Sequence, residues 1–197
     1  MIKKDINQND ILNSELLNII DYNYIFDEKP LRRIKTKPTL ENFKFQLNLL
    51  KSKIEAIENC NLKKNASKIV FADGNIKSPI MIVGEGPGKK EDEVGKPFVG
   101  DAGDLLNKML KAINIERDKI YITNVVNYRP PNNRKPEPNE INRYSEFLKD
   151  HISIIDPKIL ILMGSTAMEA ILGSNKKISK ERGQWKDVII KQKNYKV

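Results

Sequence analysis

The feature that most constrains this chain is a short apolar run that ends in a glycine-rich stretch. Four consecutive apolar residues, Ile80 to Val83, predict a buried strand, and Gly84-Glu85-Gly86-Pro87-Gly88 follows directly. Glycines let another molecule approach the backbone closely, and open α/β sheets bind ligands at the carboxyl ends of their strands. The spacing matches neither the P-loop nor the dinucleotide-binding fingerprint. From spacing alone, a ligand-binding loop and a simple tight turn remain equally open.

Strands and helices alternate along most of the chain. This alternation predicts a three-layer α/β/α sandwich with a central parallel sheet of about four strands. We divide the chain into an N-terminal helical extension, residues 1–50, and an α/β domain, residues 51–197. The predicted strands are 68–75, 79–84, 120–126, 158–163 and a fourth core strand at 187–191, and the predicted helices are one near Ser14, then 40–58, 101–113, 138–153 and 165–172.

Composition and charge limit the classes of protein to which the chain can belong. The formal net charge is +9, which suits a polyanionic partner such as DNA. The alternative is a compositional bias, because Lys, Ile and Asn are frequent throughout. No apolar run is long enough to cross a membrane, and the N-terminus lacks an apolar signal-peptide core. The single cysteine, Cys60, excludes an intramolecular disulfide and fits a cytoplasmic protein without membrane association.

The residue strings are more specific than their spacing. The glycine stretch 84–88, Glu91-Asp92 and the loop Lys96-Pro97-Phe98-Val99-Gly100 closely resemble motifs of the type 4 uracil-DNA glycosylases. Residues 124–140, 157–164 and Arg182-Gly183 resemble further blocks of that family, in the expected order. The resemblance implies the fold predicted above and a hydrolase that excises uracil from DNA in base excision repair. Its implied partner is uracil-containing DNA, while protein partners stay unknown.

The resemblance also implies roles for individual residues. By their positions in the family motifs, Phe98 stacks on a flipped uracil and Asn124 hydrogen-bonds its edge. Gly84 lies beside them in the uracil site, and Glu85 and Gly86 line the uracil and the attacking water as the catalytic pair. Without the resemblance, an Asn124 that caps a turn and a Phe98 that fills the core are the simpler interpretation.

Two carboxylates are secondary candidates for the site, and two arginines are candidates for contact with DNA phosphates. Glu91 and Asp92 belong to the same motif as the glycine loop, and the alternative for them is a solvated surface carboxylate. Arg129 and Arg134 lie in a proline-rich basic loop that could contact DNA phosphates. A solvated loop without a ligand is an equal alternative for these two.

The chain departs from the family at its cofactor. The resemblance to type 4 enzymes implies a 4Fe-4S cluster that is bound by four cysteines. The positions of this chain that correspond to those cysteines are Ile57, Cys60, Tyr128 and Tyr144. Ile and Tyr cannot hold such a cluster. We therefore expect no cluster and no other metal, with the three substituted side chains filling the space by apolar and aromatic packing.

The second departure concerns the end of the sequence. The family continues beyond Arg182-Gly183 into another strand and a His-Pro motif, whereas this sequence stops at Val197, so we expect a C-terminally incomplete glycosylase-like domain. The single histidine, His151, is expected in a surface or interhelical position and not as a substitute for that motif. Three hypotheses for the function follow. The first is an active uracil-DNA glycosylase, and the second is a catalytically inactive DNA-binding remnant of that family. A nucleotide-binding α/β domain of unrelated chemistry is the third.

Overall fold

The computed structural model describes residues 39–173 and 177–197, so the helix predicted near Ser14 lies outside the described residues. Helix α1 (Leu40–Glu55) begins at Thr39, whose hydroxyl accepts a hydrogen bond from the Asn42 N–H at 3.2 Å. The remaining helices and strands are, in chain order, α2 (Asn61–Asn65), β1 (Ala72–Gly74), β2 (Ile80–Gly84), α3 (Lys89–Val94), α4 (Asp101–Ala112), β3 (Tyr121–Asn124), α5 (Pro138–Ile155), β4 (Ile159–Leu162), α6 (Ser165–Leu172), α7 (Ile178–Glu181), β5 (Asp187–Ile190) and β6 (Lys193–Lys196).

The strands form one sheet in the order β1-β3-β2-β4-β6-β5. The four central strands are parallel, with Gly84 opposite Asn124 where β2 and β3 end together. The outer strands β1 and β5 run antiparallel to their neighbours. The parallel centre places the ends of β2, β3 and β4 at one edge, where the following loops can form a site.

Both faces of the sheet are covered, because alternate residues of a strand point to opposite sides. Ile82 packs with Leu106 and Leu110 of α4 on one face. Met81 and Val83 pack on the other face with α1, α5 and α6. The predicted three-layer α/β/α sandwich is confirmed.

Three details differ from the predicted elements. The fourth parallel strand is β6, whereas the segment predicted for that place, β5, is an antiparallel edge strand. Helix α3 was not predicted, because Lys89–Val94 shows no apolar periodicity. The boundary proposed at residue 50 lies inside α1, and Leu47, Leu50 and Ile54 of this helix are buried in the core.

None of the described helices combines the length and the hydropathy that a membrane-crossing segment needs.

Candidate active site

The glycine loop stays attached to β3 beyond the ends of the two strands. The N–H of Val125 donates to the carbonyl oxygen of Gly84 at 2.9 Å, and the N–H of Val126 donates to that of Glu85 at 3.2 Å. Gly86 lies so close to this segment that an added Cβ would approach the Val126 side chain to 2.7 Å. These contacts fix residues 84–86 at the carboxyl edge of the sheet.

Phe98 and Asn124 converge on Gly84. A Cβ added to Gly84 would lie 2.4 Å from Asn124 Oδ1 and 2.6 Å from two atoms of the Phe98 ring, so any larger residue would have to displace these side chains. The Asn124 side chain is 3 % exposed, and its amide has no hydrogen-bond partner among the described residues. Its polar atoms are not sealed from solvent, so the amide is available to a ligand. The structure thus brings together three residues that the sequence motifs predicted for one site.

The Phe98 loop has an unusual backbone. Phe98 has a φ of 53°, in the left-handed region that residues with large side chains rarely adopt. Such conformations persist where their surroundings hold them, and they are concentrated at functional sites. Gly103 leaves room for this backbone, because a Cβ there would lie 2.0 Å from the Phe98 carbonyl oxygen. Phe98 packs at the edge of the apolar core between the sheet and α4. Because it is only half-buried, it does not simply fill that core.

Glu91 joins the two loops. Its carboxylate accepts hydrogen bonds from the N–H groups of Gly88 at 3.1 Å, Val99 at 3.0 Å and Gly100 at 2.7 Å. Since both carboxylate oxygens are used inside the protein, Glu91 fixes the distance between the glycine loop and the Phe98 loop. Its role in the structure is positioning, and it is not the solvated carboxylate that the sequence left open.

Asp92 is buried, 3 % exposed, and accepts hydrogen bonds from the backbone N–H groups of Ser67 and Lys68 at 2.9 to 3.3 Å. The alternative of a solvated surface carboxylate is therefore wrong for this residue. Asp92 ties α3 to the chain that leads into β1, away from the junction of Phe98 and Asn124.

Glu85 is exposed at the rim of the site, and its carboxylate accepts a hydrogen bond from the hydroxyl of Thr166. Thr166 itself is fully buried in the first turn of α6. The helix that follows β4 therefore orients the carboxylate that follows β2. A carboxylate held in this way can orient a water molecule or stabilise a positive charge.

The two arginines of the proline-rich loop differ in their partners. Arg134 forms a bidentate ion pair with Glu140, with N–O distances of 2.7 and 2.8 Å. The hydrogen bond from Arg134 lowers the pKa of the Glu140 carboxyl. Glu140 also accepts from the N–H of Glu137 at the start of α5. Arg134 thus acts within the loop. Arg129 bonds Asn133 at 2.7 Å through Nε, and none of the described acidic side chains pairs with it, so its charge is available to a phosphate.

The four positions that correspond to the family's cluster cysteines lie in one buried core. Ile57, Cys60, Tyr128 and Tyr144 are each at most 8 % exposed and belong to the same packed cluster. The sulfur of Cys60 lies 3.4 Å from the Tyr144 hydroxyl oxygen. Burial, followed by the contact with Cys60, raises the pKa of Tyr144, so the phenol stays neutral. One thiol beside an isoleucine and two neutral phenols does not fit the donor set of an iron–sulfur cluster.

His151 is neither at the surface nor between helices, because its ring is buried between α5 and the sheet. It is 2 % exposed, stacks on Phe71 with ring centroids 4.6 Å apart, and its Nε2 lies 2.7 Å from the Tyr121 hydroxyl oxygen. Burial lowers the pKa of His151 to about 3, so the imidazole is neutral. Its partners lie within the α5-side core, and it contributes nothing to the site.

Two residues of the site were missed by sequence reasoning. Thr166 follows the third predicted strand, so its place at the same sheet edge as Glu85 could have signalled it. Arg117, which donates hydrogen bonds to the carbonyl oxygens of Pro97 and Phe98, lies in a charged connector that carries no local signal.

Comparison with known proteins agrees with this geometry. The family model of the uracil DNA glycosylase superfamily matches residues 71–195. The type-4 uracil-DNA glycosylase of Thermotoga maritima is 40% identical over 138 residues, which cover 70% of this chain and 72% of the relative. That of Sulfurisphaera tokodaii is 43% identical over 148 residues, covering 71% and 67%, and that of Archaeoglobus fulgidus is 42% identical over 118 residues, covering 60% and 59%. The chain therefore belongs to the uracil DNA glycosylase superfamily.

Proposed function

We propose that this protein is a uracil-DNA glycosylase, which hydrolyses the N-glycosidic bond of deoxyuridine in DNA. The observation that carries the proposal is the convergence of Phe98 and the unpaired amide of Asn124 on Gly84. A glycosylase must hold an extruded base by its face and its hydrogen-bonding edge. An aromatic ring and a free amide at one glycine supply both kinds of contact, and the chain's relatives carry this activity in their names.

The reaction separates charge, and the site offers a partner for each sign. As the bond breaks, negative charge develops on the departing uracil, and backbone N–H groups of the glycine loop are suited to stabilise it. Positive charge develops on the sugar, next to which the Glu85 carboxylate would lie, held by Thr166. The same carboxylate is suited to orient the water that attacks the sugar. Glu85 and Gly86 therefore remain the proposed catalytic residues.

The proposed partner is DNA that contains uracil. The net charge of +9 favours a polyanion, and Arg129 is the arginine of the proline-rich loop that we propose contacts a phosphate. Excision leaves an abasic site in the DNA, which later enzymes must cut and refill. On this chemistry we place the protein at the first step of base excision repair.

We also propose that the protein works without an iron–sulfur cluster. Its single cysteine is buried beside Tyr144, and the other three cluster positions hold side chains that are not cluster ligands. No step of the proposed reaction requires a metal.

The test is excision of uracil from a labelled oligonucleotide, with alkali to cleave the abasic product. We expect the wild-type chain to release uracil and leave the matched thymine oligonucleotide intact. Asn124→Ala should lower the single-turnover rate by about 100-fold or more, because a preorganised hydrogen bond to the reacting base is lost. Asn142→Ala, at an exposed position of α5, is the matched control and should keep full activity.

A wild-type chain that is folded and binds DNA without releasing uracil would overturn the excision proposal and favour an inactive DNA-binding member of the family. Equal rates for the wild type and Asn124→Ala would show that uracil is bound elsewhere.

A further inference from the structure

The position of Phe98 requires support, because its backbone φ of 53° is one that a phenylalanine rarely adopts. Glu91 holds the two residues on the C-terminal side of Phe98, and Gly103 leaves room for the Phe98 carbonyl group. The carbonyl groups of Pro97 and Phe98 themselves are held from elsewhere in the fold, by the side chain of Arg117.

Arg117 contacts the loop through both ends of its guanidinium fork. Its Nη1 donates to the carbonyl oxygen of Phe98 at 3.0 Å, and its Nη2 donates to that of Pro97 at 2.7 Å. Nη1 also donates to Asn107 Oδ1 on α4 at 3.1 Å. A planar guanidinium can satisfy several acceptors at once in a fixed arrangement, which a lysine ammonium cannot.

Asp73 orients that guanidinium. Its Oδ2 accepts from Arg117 Nε at 3.2 Å and from Nη2 at 3.1 Å, and its Oδ1 lies 3.4 Å from the Lys96 ammonium in the same loop. The side chains of Arg117 and Asp73 are only 23% and 22% exposed, so this pair is not an ordinary solvated ion pair. Asp73 is on β1, and Arg117 is in the 3₁₀ turn before β3. The Phe98 loop is therefore held by side chains from two other elements of the fold.

We infer that Arg117, oriented by Asp73, is a positioning residue that holds the Phe98 ring over Gly84 before any substrate arrives. This inference rests on the proposed function, because the value of a preset ring is that an extruded base meets a formed surface. Arg117 itself does not touch the base. It acts on the two carbonyl groups that set the direction of the Phe98 side chain.

The first test measures the loop without reference to activity. The N–H groups of Val99 and Gly100 are bonded to Glu91, so their hydrogen exchange reports whether the loop stays closed. In Arg117→Met we expect these two amides to exchange at least about 10-fold faster, while amides of the central strands keep their rates. Asp73→Asn keeps the side-chain size and should accelerate the hydrogen exchange of the same two amides. It replaces Arg117→Met in this test if that variant folds poorly.

The matched control is Arg143→Met. Arg143 also donates to two backbone carbonyl oxygens, those of Glu58 at 2.6 Å and Asn59 at 3.2 Å, but on the opposite face of the sheet. Its replacement should leave the exchange of Val99 and Gly100 unchanged. Unchanged exchange of these amides in both Arg117→Met and Asp73→Asn would overturn the inference.

The second test links the loop to the reaction by a double-mutant cycle. Arg117→Met should lower single-turnover excision about 10-fold or more, but should cause no further loss in a Phe98→Ala background, because the ring it positions is gone. Independent, multiplying losses would overturn the inference, since a general structural defect gives that result. If the wild type releases no uracil, the proposed function fails, and the exchange experiment still decides the role of Arg117.

Discussion

Thr166 shows how one buried hydroxyl can control an exposed carboxylate. Its methyl group and Oγ1 are enclosed at the start of α6, and the Glu85 carboxylate is the acceptor seen for its hydroxyl among the described residues. The hydrogen bond it donates leaves Glu85 with one oxygen directed by the protein and the other open to solvent or substrate. In the proposed reaction, misplacement of a reacting group by about 1 Å would lower the rate by about 100-fold, so the contact between Thr166 and Glu85 can be tested by kinetics.

Replacing Thr166 tests that control. Thr166→Val keeps the shape and removes the donor, and we expect single-turnover excision to fall by about 10- to 100-fold. Thr166→Ser keeps the donor and should stay within a few-fold of the wild type, although it loses a buried methyl group. Rates are compared at saturating enzyme, so that binding does not limit them. A serine variant as slow as the valine variant would mean that packing of the methyl group, and not the hydrogen bond, is what matters.

The site residues that sequence reasoning found are those with a local signature. Phe98 and Asn124 both belong to sequence motifs. Phe98 lies between glycines in the loop 96–100, and Asn124 lies in the apolar run of the second core strand. Arg117 has no such signature, and Thr166 is marked only by its place after a predicted strand, because their partners Asp73 and Glu85 are 44 and 81 residues away. Contacts of this kind depend on how the sheet is ordered, which a sequence pattern does not specify.

At the scale of elements, helix α3 shows why a polar segment can be structurally decisive. Its six residues bury little apolar surface, but Gly88 begins the helix and Gly95, with a φ of 84°, ends it. Between them Glu91 binds both loops of the site and Asp92 binds the chain before β1. Buried carboxylates that accept several backbone N–H groups are strong local supports. Periodicity alone cannot predict such a helix.

The core at the family's cluster positions joins three elements by side-chain packing. Ile57 and Cys60 follow α1, Tyr128 follows β3, and Tyr144 lies on α5. In this arrangement, side-chain packing connects segments that are distant in sequence. We therefore expect stability here to depend on ring volume and to be independent of metal.

Tyr144 provides the test of that expectation. Tyr144→Ala should lower the free energy of unfolding by about 3–5 kcal/mol, since a fully buried aromatic leaves a cavity. Phe147→Ala, a partly buried neighbour on the same helix, is the control and should cost less. The purified wild type should contain no stoichiometric iron, and chelator should not change its urea midpoint. Stoichiometric iron, or a midpoint that falls with chelator, would contradict the proposal of a cluster-free protein.

At the scale of the whole molecule, the sheet is wider than predicted. The added strand β6 carries the polar sequence Lys193-Asn194-Tyr195-Lys196, in which only Tyr195 is buried. The turn before it places Lys191 and Gln192 at positive φ, where Asn-Gly or Gly is the usual signal. Neither the strand nor its turn therefore shows the pattern from which hairpins are predicted. Of the parallel strands, β2, β3 and β4 were predictable because each contains a largely apolar run.

The pH dependence of stability follows from the burial of His151. In the folded protein its pKa is lowered to about 3, whereas in the unfolded chain it is about 6.5. Between these values only the unfolded chain binds the proton, so this group makes the folded state less stable as pH falls, by up to about 1.4 kcal/mol per pH unit. Stability from this source is complete above about pH 6.5. Because the chain has a single histidine, no other imidazole contributes.

His151→Gln separates this effect from the titration of carboxylates. Glutamine is neutral at all these pH values and keeps a polar group that can face the Tyr121 hydroxyl. We expect the variant to be less stable at pH 7.5, because it loses the stacking on Phe71, but to lose less stability between pH 6.5 and 4.5. Urea unfolding of both proteins across that range gives the difference, in which shared carboxylate effects cancel. Parallel curves would show that His151 takes up its proton in the folded protein, which requires water to reach the ring between α5 and the sheet.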